Sequence, residues 1–246
     1  MSKPLSLLLL ALTLTLMSCH SADEFDSPSI NPPLKEVTIR ATNPFHSTDS
    51  LTRMTAKDLS FQWVDGDKAD ICMDNVVYTL TYSSNKEGFV GKVPNGVLTD
   101  NLVFLYPSGA YTKEGSLFTY EMTSVRNTSA NYVDYFPMVG TYDPGEDYIM
   151  THSLFNYINL GAFEEPSLVQ VTPANDDNYE FVCGDYVVGH SSALSYAINF
   201  TGERYELLVP VFINANSYSI YNYNSATTST YTTTTQAEDA IFKPSN

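Results

Sequence analysis

The chain has 246 residues, 43% of them hydrophobic and only 16% charged, which excludes a wholly disordered chain and leaves room for one large domain or two modest ones. Its 12 Lys and Arg face 28 Asp and Glu, a net charge of −16, so it lacks the clustered cations that nucleic-acid phosphates require. Aromatic residues reach 13%, mostly Tyr and Phe, a mix that suits pleated, half-buried strands better than helices.

The first element is an address. Lys3 precedes an almost unbroken run of Leu, Ala and Thr over residues 5–16, too short for a comfortable membrane span. The run ends in Leu16-Met17-Ser18-Cys19, which looks like a bacterial lipobox, a small residue followed by a Cys that becomes acylated. This predicts a lipoprotein signal peptide over residues 1–18 and lipid on Cys19; the alternative is an ordinary secretory leader with an incidental Cys. Each buried acyl CH₂ contributes about 0.8 kcal/mol, so more than one acyl chain anchors a protein stably. Residues 19–34 carry Asp23, Glu24 and Asp26 among Ser and Pro and read as a flexible acidic tether. Acidic residues just after the Cys also resemble the export signal of surface-exposed lipoproteins in some Gram-negative anaerobes.

Beyond the tether the apolar period is two. Leu59, Phe61 and Trp63 share a phase, as do Ala69, Ile71 and Met73, and Tyr78, Leu80 and Tyr82. Residues 102–106 are continuously apolar, the pattern of a strand buried on both faces. Two further alternating strands follow, Leu194, Tyr196, Ile198 and Phe200, then Tyr205, Leu207, Val209, Val211 and Ile213. Turn residues punctuate the runs at Asp65-Gly66, Asn95-Gly96, Pro107-Ser108-Gly109, Asp143-Pro144-Gly145 and Thr201-Gly202. Residues 150–160 and 236–241 are each read as one short helix, and the Thr-rich residues 227–235 as a solvated strand. Pro and Gly cluster over residues 136–147. The expected fold is therefore all-β, with two sandwich domains over residues 35–140 and 141–246.

Several clusters invite chemistry and carry little of it. Asp65-Gly66-Asp67 with Asp70 has the look of a calcium loop, but Ala69 occupies the third alternate position and no closing carboxylate follows, so a hairpin turn is the better reading. Cys183, Asp185 and His190 are close in sequence, yet Cys183 shares a strand phase with Tyr179 and Phe181, which suits a buried, inert thiol. Glu164-Glu165 and Asp176-Asp177 are adjacent pairs, whereas a glycosidase needs two carboxylates facing each other across a sugar. No His or Cys spacing suits zinc and no Gly-rich phosphate loop occurs, so no metal, cofactor or catalytic residue is expected. Cys72 sits on the polar phase of its strand, and two free thiols are favoured over a Cys72–Cys183 disulfide. Tyr218, Tyr221 and Tyr223 form either a sugar-stacking or adhesive patch, or an edge strand with amphipathic aromatics.

The segment from Thr52-Arg53 through Phe61, Trp63, Gly66 and Asp67 to Ile71 resembles the N-terminal signature of fimbrillin-like (Mfa-like) proteins, in which Thr-Arg precedes Phe-x-Trp-x-x-Gly-Asp and a hydrophobic strand. Leu105-Tyr106-Pro107, Phe136-Pro137-Met138 and the lipobox agree with that family of type V pilins and pilus-associated lipoproteins. Residues 68–70 separate Gly66-Asp67 from Ile71, wider than the family usually shows, and the chain is short for a structural pilin.

The resemblance implies two tandem transthyretin-like (Greek-key) sandwiches, assembled by donor-strand exchange after an Arg-specific protease removes the first strand. The segment Val37-Thr38-Ile39-Arg40 fits that strand, with Arg40 or Arg53 as the processing site, although both are also compatible with ordinary surface arginines. Asp49-Ser50-Leu51 resembles an O-glycosylation site of such bacteria, with Ser50 as acceptor. Residues 225–240 offer mainly Tyr231 among Thr and Ser, a weak donor strand, which favours an anchor, tip or accessory subunit over a stalk subunit. The expected protein is thus a non-enzymatic, surface-exposed outer-membrane lipoprotein of a fimbrium. Its partners would be neighbouring pilus subunits, membrane lipid and host or bacterial surface receptors. The rival readings are a surface glycan-binding lipoprotein and a secreted hydrolase on a β scaffold.

Overall fold

The structure is a computed structural model of the chain and describes residues 32–42, 44, 63–120, 125–128, 136–162, 167–173, 180–190, 196–200, 206–211, 217–232 and 241–242. Almost everything described is strand; the one helical element among these residues is a 3₁₀ turn, Ser84–Lys86. By contacts, Leu34–Asn246 holds together as one unit.

Seven strands close a barrel. In chain order they are β1 (Leu34–Ala41), β2 (Lys68–Met73), β3 (Val76–Ser83), β4 (Gly88–Pro94) and β5 (Val103–Tyr106), and, after β6 (Tyr111–Glu114), β7 (Leu117–Tyr120) and β8 (Val125–Thr128), also β9 (Met138–Asp143) and β10 (Tyr148–Ser153). Around the barrel the order is β1-β10-β9-β5-β2-β3-β4. The boundary expected between residues 140 and 141 falls inside β9, which pairs with β5 on one side and β10 on the other.

The rest of the chain supplies β11 (Asn156–Ala162), β12 (Ser167–Pro173), β13 (Phe181–Cys183), β14 (Tyr186–His190), β15 (Tyr196–Phe200), β16 (Glu206–Val211), β17 (Ser217–Asn222), β18 (Thr227–Thr232) and β19 (Ile241–Phe242). These form a five-stranded sheet β18-β17-β12-β15-β8, a four-stranded sheet β13-β14-β7-β6 and a three-stranded sheet β16-β11-β19.

Period-two burial explains the barrel strands. Ala69, Ile71 and Met73 on β2, Leu80 and Tyr82 on β3, and Phe89 and Val93 on β4 are buried. All four residues of β5 are buried, as the continuous apolar run predicts. Trp63 joins this core, its ring meeting Phe89 and Tyr106 edge-on with centroids 4.9 Å away in each case, and Phe89 meets Phe104 at 5.3 Å.

Residues 150–160 are not a helix. Ile149, Thr151 and Ser153 are buried while Met150 is 41% exposed, a period of two, and the segment splits into β10 and β11 around Leu154 and Phe155. The helix expected over residues 236–241 lies outside the described residues except for Ile241, which opens β19. Cys72 is fully buried rather than on a solvated face. The outer face of β2 is covered at this point, where the Tyr186 side chain reaches over to accept a hydrogen bond from the Asn75 amide at 3.0 Å.

Candidate functional site

The barrel is closed by β1, which lies between β4 and β10. Along β1, Val37, Ile39 and Ala41 face inward, with Ile39 and Ala41 buried, while Glu36, Thr38 and Arg40 face out. On one side β1 runs antiparallel to β4 over six residues, from Leu34 opposite Pro94 to Ile39 opposite Phe89. On the other side it meets β10 in parallel at only two, Arg40 opposite Tyr148 and Ala41 opposite Ile149, the shortest junction in the barrel.

That short junction has a clasp. The Thr42 amide donates to the Ile149 carbonyl at 2.8 Å. The Thr151 amide donates to the Thr42 hydroxyl at 2.9 Å, and the Thr151 hydroxyl to the Thr42 carbonyl at 2.6 Å. Trp63 donates its indole N–H to the Ala41 carbonyl at 3.3 Å. The peptide bond after Arg40 is therefore held at its carboxyl side by a buried indole and a threonine pair.

Three of the motif residues, Trp63, Gly66 and Asp67, stand at this clasp. Gly66 takes a left-handed φ of +94° in a turn where the Asp67 amide donates to the Val64 carbonyl at 2.9 Å. The Asp67 carboxylate accepts the Val64 amide at 2.8 Å, and the Asp65 carboxylate accepts the Ser84 amide at 2.5 Å and hydroxyl at 2.8 Å. Those two donors, the backbone one foremost, hold the Asp65 carboxyl below its usual range. The turn thus fixes the chain just after Trp63. It is a turn as expected, but it joins Trp63 to β2 and is pinned to the end of β3, with the Tyr82 amide donating to the Asp67 carbonyl at 2.7 Å.

Arg40 stands 64% exposed on the outer side of the seam, 3.7 Å from the Glu87 carboxylate, itself largely exposed. Such a pair contributes little to stability. Lys86 hydrogen-bonds Glu36, and that hydrogen bond, ahead of the charge itself, lowers the Glu36 pKa. Gly88 permits the close approach of β4: a Cβ there would sit 2.7 Å from the Ile39 carbonyl oxygen. Cys19, Ser50, Arg53 and Phe61, with Glu164, Glu165, Asp176 and Asp177, lie outside the described residues.

The other sequence candidates do not converge. Asp70 anchors a loop, its carboxylate accepting the Thr79 and Ser108 hydroxyls at 2.7 Å each and the Gly109 amide at 2.8 Å. Among the described residues no group of three or more His, Cys, Asp or Glu is placed to hold a metal ion. Cys183 is buried opposite Tyr186, and His190 lies four positions further along β14, roughly 13 Å at ~3.3 Å per residue, so the two do not meet. Burial pushes the Cys183 thiol up to about 12. Asp185 is engaged by the Asn101 amide instead. Cys72 and Cys183 are both free thiols.

Of the three tyrosines, Tyr218 is buried and belongs to the core, while Tyr221 and Tyr223 stand on the opposite face of β17. β17 is an interior strand, between β12 and β18, not an edge.

Compared with protein-family models, curated proteins and solved structures, the chain matches none of them. What it does must therefore be argued from the seam itself. Among the described residues no helix is long and apolar enough to cross a membrane.

Proposed function

We propose that this chain is a fimbrillin-like surface lipoprotein, acylated at Cys19, that serves a pilus as an anchor, tip or accessory subunit through strand complementation rather than bond-making. The observation that carries the reading is β1: an N-terminal strand with inward apolar anchors, an exposed Arg at its end and a two-residue junction to β10. Lifting it off would leave the edges of β4 and β10 unpaired and the sites of Val37 and Ile39 empty, which is the condition an incoming strand relieves. The finer fold expectation, tandem transthyretin-like Greek-key sandwiches over residues 35–140 and 141–246, belongs to the same proposal.

The C-terminal strands favour a terminal or accessory place over a stalk subunit. β18 is already paired along its whole length with β17, and β19 with β11, so the tail serves its own chain. An outer-membrane location, neighbouring pilus subunits and surface receptors as partners, processing at Arg40 or Arg53 and glycosylation at Ser50 are parts of this proposal.

N-terminal sequencing and an unboiled gel of protein taken from cells test it. A lipid-blocked start at Cys19 is the expected result for an anchor, and a start at Ala41 or Met54 for a trimmed subunit; either comes with detergent-resistant species containing other subunits. A monomer with a start elsewhere and no such species would sink the reading.

A further inference from the structure

Over β12 and β17, one face of the five-stranded sheet is buried and the other is exposed or half-buried. Val169, Val171, Tyr218 and Ile220 are buried. The alternate positions form cross-strand rows on the other side: Gln170 lies opposite Tyr221, which lies opposite Thr228, and Ser219 lies opposite Thr230. Ser219, Thr228 and Thr230 are exposed.

Tyr223 extends this face beyond the strand. Its amide donates to the Leu168 carbonyl at 3.0 Å, so the ladder with β12 continues through it. Its ring stands edge-on to Tyr221, centroids 4.8 Å apart and planes at 82°, and remains 48% exposed. The Tyr223 hydroxyl donates to the Gln170 carboxamide oxygen at 2.8 Å. That bond holds the ring in place and leaves the Gln170 NH₂ group free of that duty, with two hydrogens to give.

None of these positions is charged, in a chain of net charge −16. An anionic ligand would meet a repelling field, and a cationic one would find no carboxylate here. Two rings are too little apolar area for a stable protein interface, which needs about 1,000 Å² with an apolar centre. Rigid Tyr beside Ser, Thr and Gln instead offers a flat apolar surface with adaptable hydrogen bonding, at low cost in side-chain entropy. A sugar ring has the matching chemistry, a C–H face bordered by hydroxyls.

We propose that the Tyr221–Tyr223–Gln170 face binds a neutral polysaccharide, Tyr223 stacking on a sugar ring while the Gln170 amide and the Ser and Thr hydroxyls meet its hydroxyl groups. The inference is independent of the strand seam, since none of these residues lies on β1, β4 or β10.

Affinity electrophoresis of the whole protein tests it, in native gels cast with dextran, galactomannan or arabinoxylan, and with hyaluronan as the anionic control. The expected result is retardation in at least one neutral gel and none with hyaluronan. Tyr223→Ala should weaken binding roughly tenfold, as loss of a central aromatic contact does. Tyr223→Phe keeps the ring but loses its tether and should fall between. If Tyr223→Ala lowers the melting temperature, Gln170→Ala decides the matter. Free migration in all three neutral gels, or retardation that survives both Tyr223→Ala and Gln170→Ala, overturns the proposal. Neither outcome bears on the unboiled-gel result, so the two proposals fail separately.

Discussion

At the level of single side chains, Trp63 has two tasks. Its ring fills the barrel between Phe89 and Tyr106, and its N–H holds the Ala41 carbonyl at the end of β1. Trp63→Ala is expected to cost about 3–5 kcal/mol in urea unfolding, the usual range for a large buried aromatic. Trp63→Phe keeps most of the volume and should cost less while still loosening β1. The Cys183 thiol makes a different prediction. Its folded pKa is raised to about 12 from an ordinary value near 9, so the folded protein keeps the proton that the unfolded chain gives up. The stability it contributes is fully present below about pH 9 and is lost as pH rises toward 12. Cys183→Ala should flatten that part of a stability-against-pH curve, and iodoacetamide at pH 8 should label Cys183 only after denaturant is added. Period two marked Cys183 as buried from sequence alone, but it misplaced Cys72. Alternation identifies which residues share a face; whether the second face is wet depends on what covers it, here the distant Tyr186. The tyrosine cluster shows the converse. Tyr218 and Tyr221 differ by an odd number of positions, so the same alternation already sets them on opposite faces.

At the level of the element, β1 entered the sequence reading only as residues 37–40, through the resemblance to fimbrillin-like proteins, and the structure extends it to Leu34–Ala41. Its partners were not legible. The junction with β10 joins Thr42 to Thr151, 109 positions away, and no local pattern encodes that pairing. The strand pair β10 and β11 was hidden for a related reason: Met150, Leu154, Tyr157 and Ile158 fall at helical spacing, whereas the period of two that β10 buries, Ile149, Thr151 and Ser153, is carried by two polar residues and leaves no apolar alternation to read. Gly88 gives the seam its own test. A side chain there meets the Ile39 backbone, so Gly88→Val should push β1 outward, cost roughly 1–3 kcal/mol and speed cleavage after Arg40 by an Arg-specific protease. Arg40→Gln should leave the melting temperature within a few degrees, since its ion pair is exposed, while abolishing cleavage at that bond. Mass spectrometry of timed digests reads both.

At the scale of the whole molecule, composition and alternation sufficed for an all-β architecture, and turn chemistry marked the turn at Asp143-Pro144-Gly145, where the Asp143 carboxylate accepts the Gly145 amide at 2.8 Å, but not that it joins two paired strands, β9 and β10, inside one sheet. The arrangement of sheets was out of reach, because it rests on pairings such as β7 with β14 that join distant segments. If β1 is the removable part, a chain beginning at Ala41 should lose thermal stability and recover it when a peptide spanning residues 34–40 is added, with residual affinity fixed by how well Val37 and Ile39 refill their sites. Thermal scans with and without the peptide measure this.

The two-residue junction also sets an order of events in biogenesis. β1 is synthesised before the other barrel strands, yet the neighbour that closes the barrel around it is made more than a hundred residues later. Closing a loop of that length is the slow kind of contact to make, so the margin of β1 that faces β10 stays unpaired until late in synthesis and is the part of the nascent chain most open to pairing with a foreign strand.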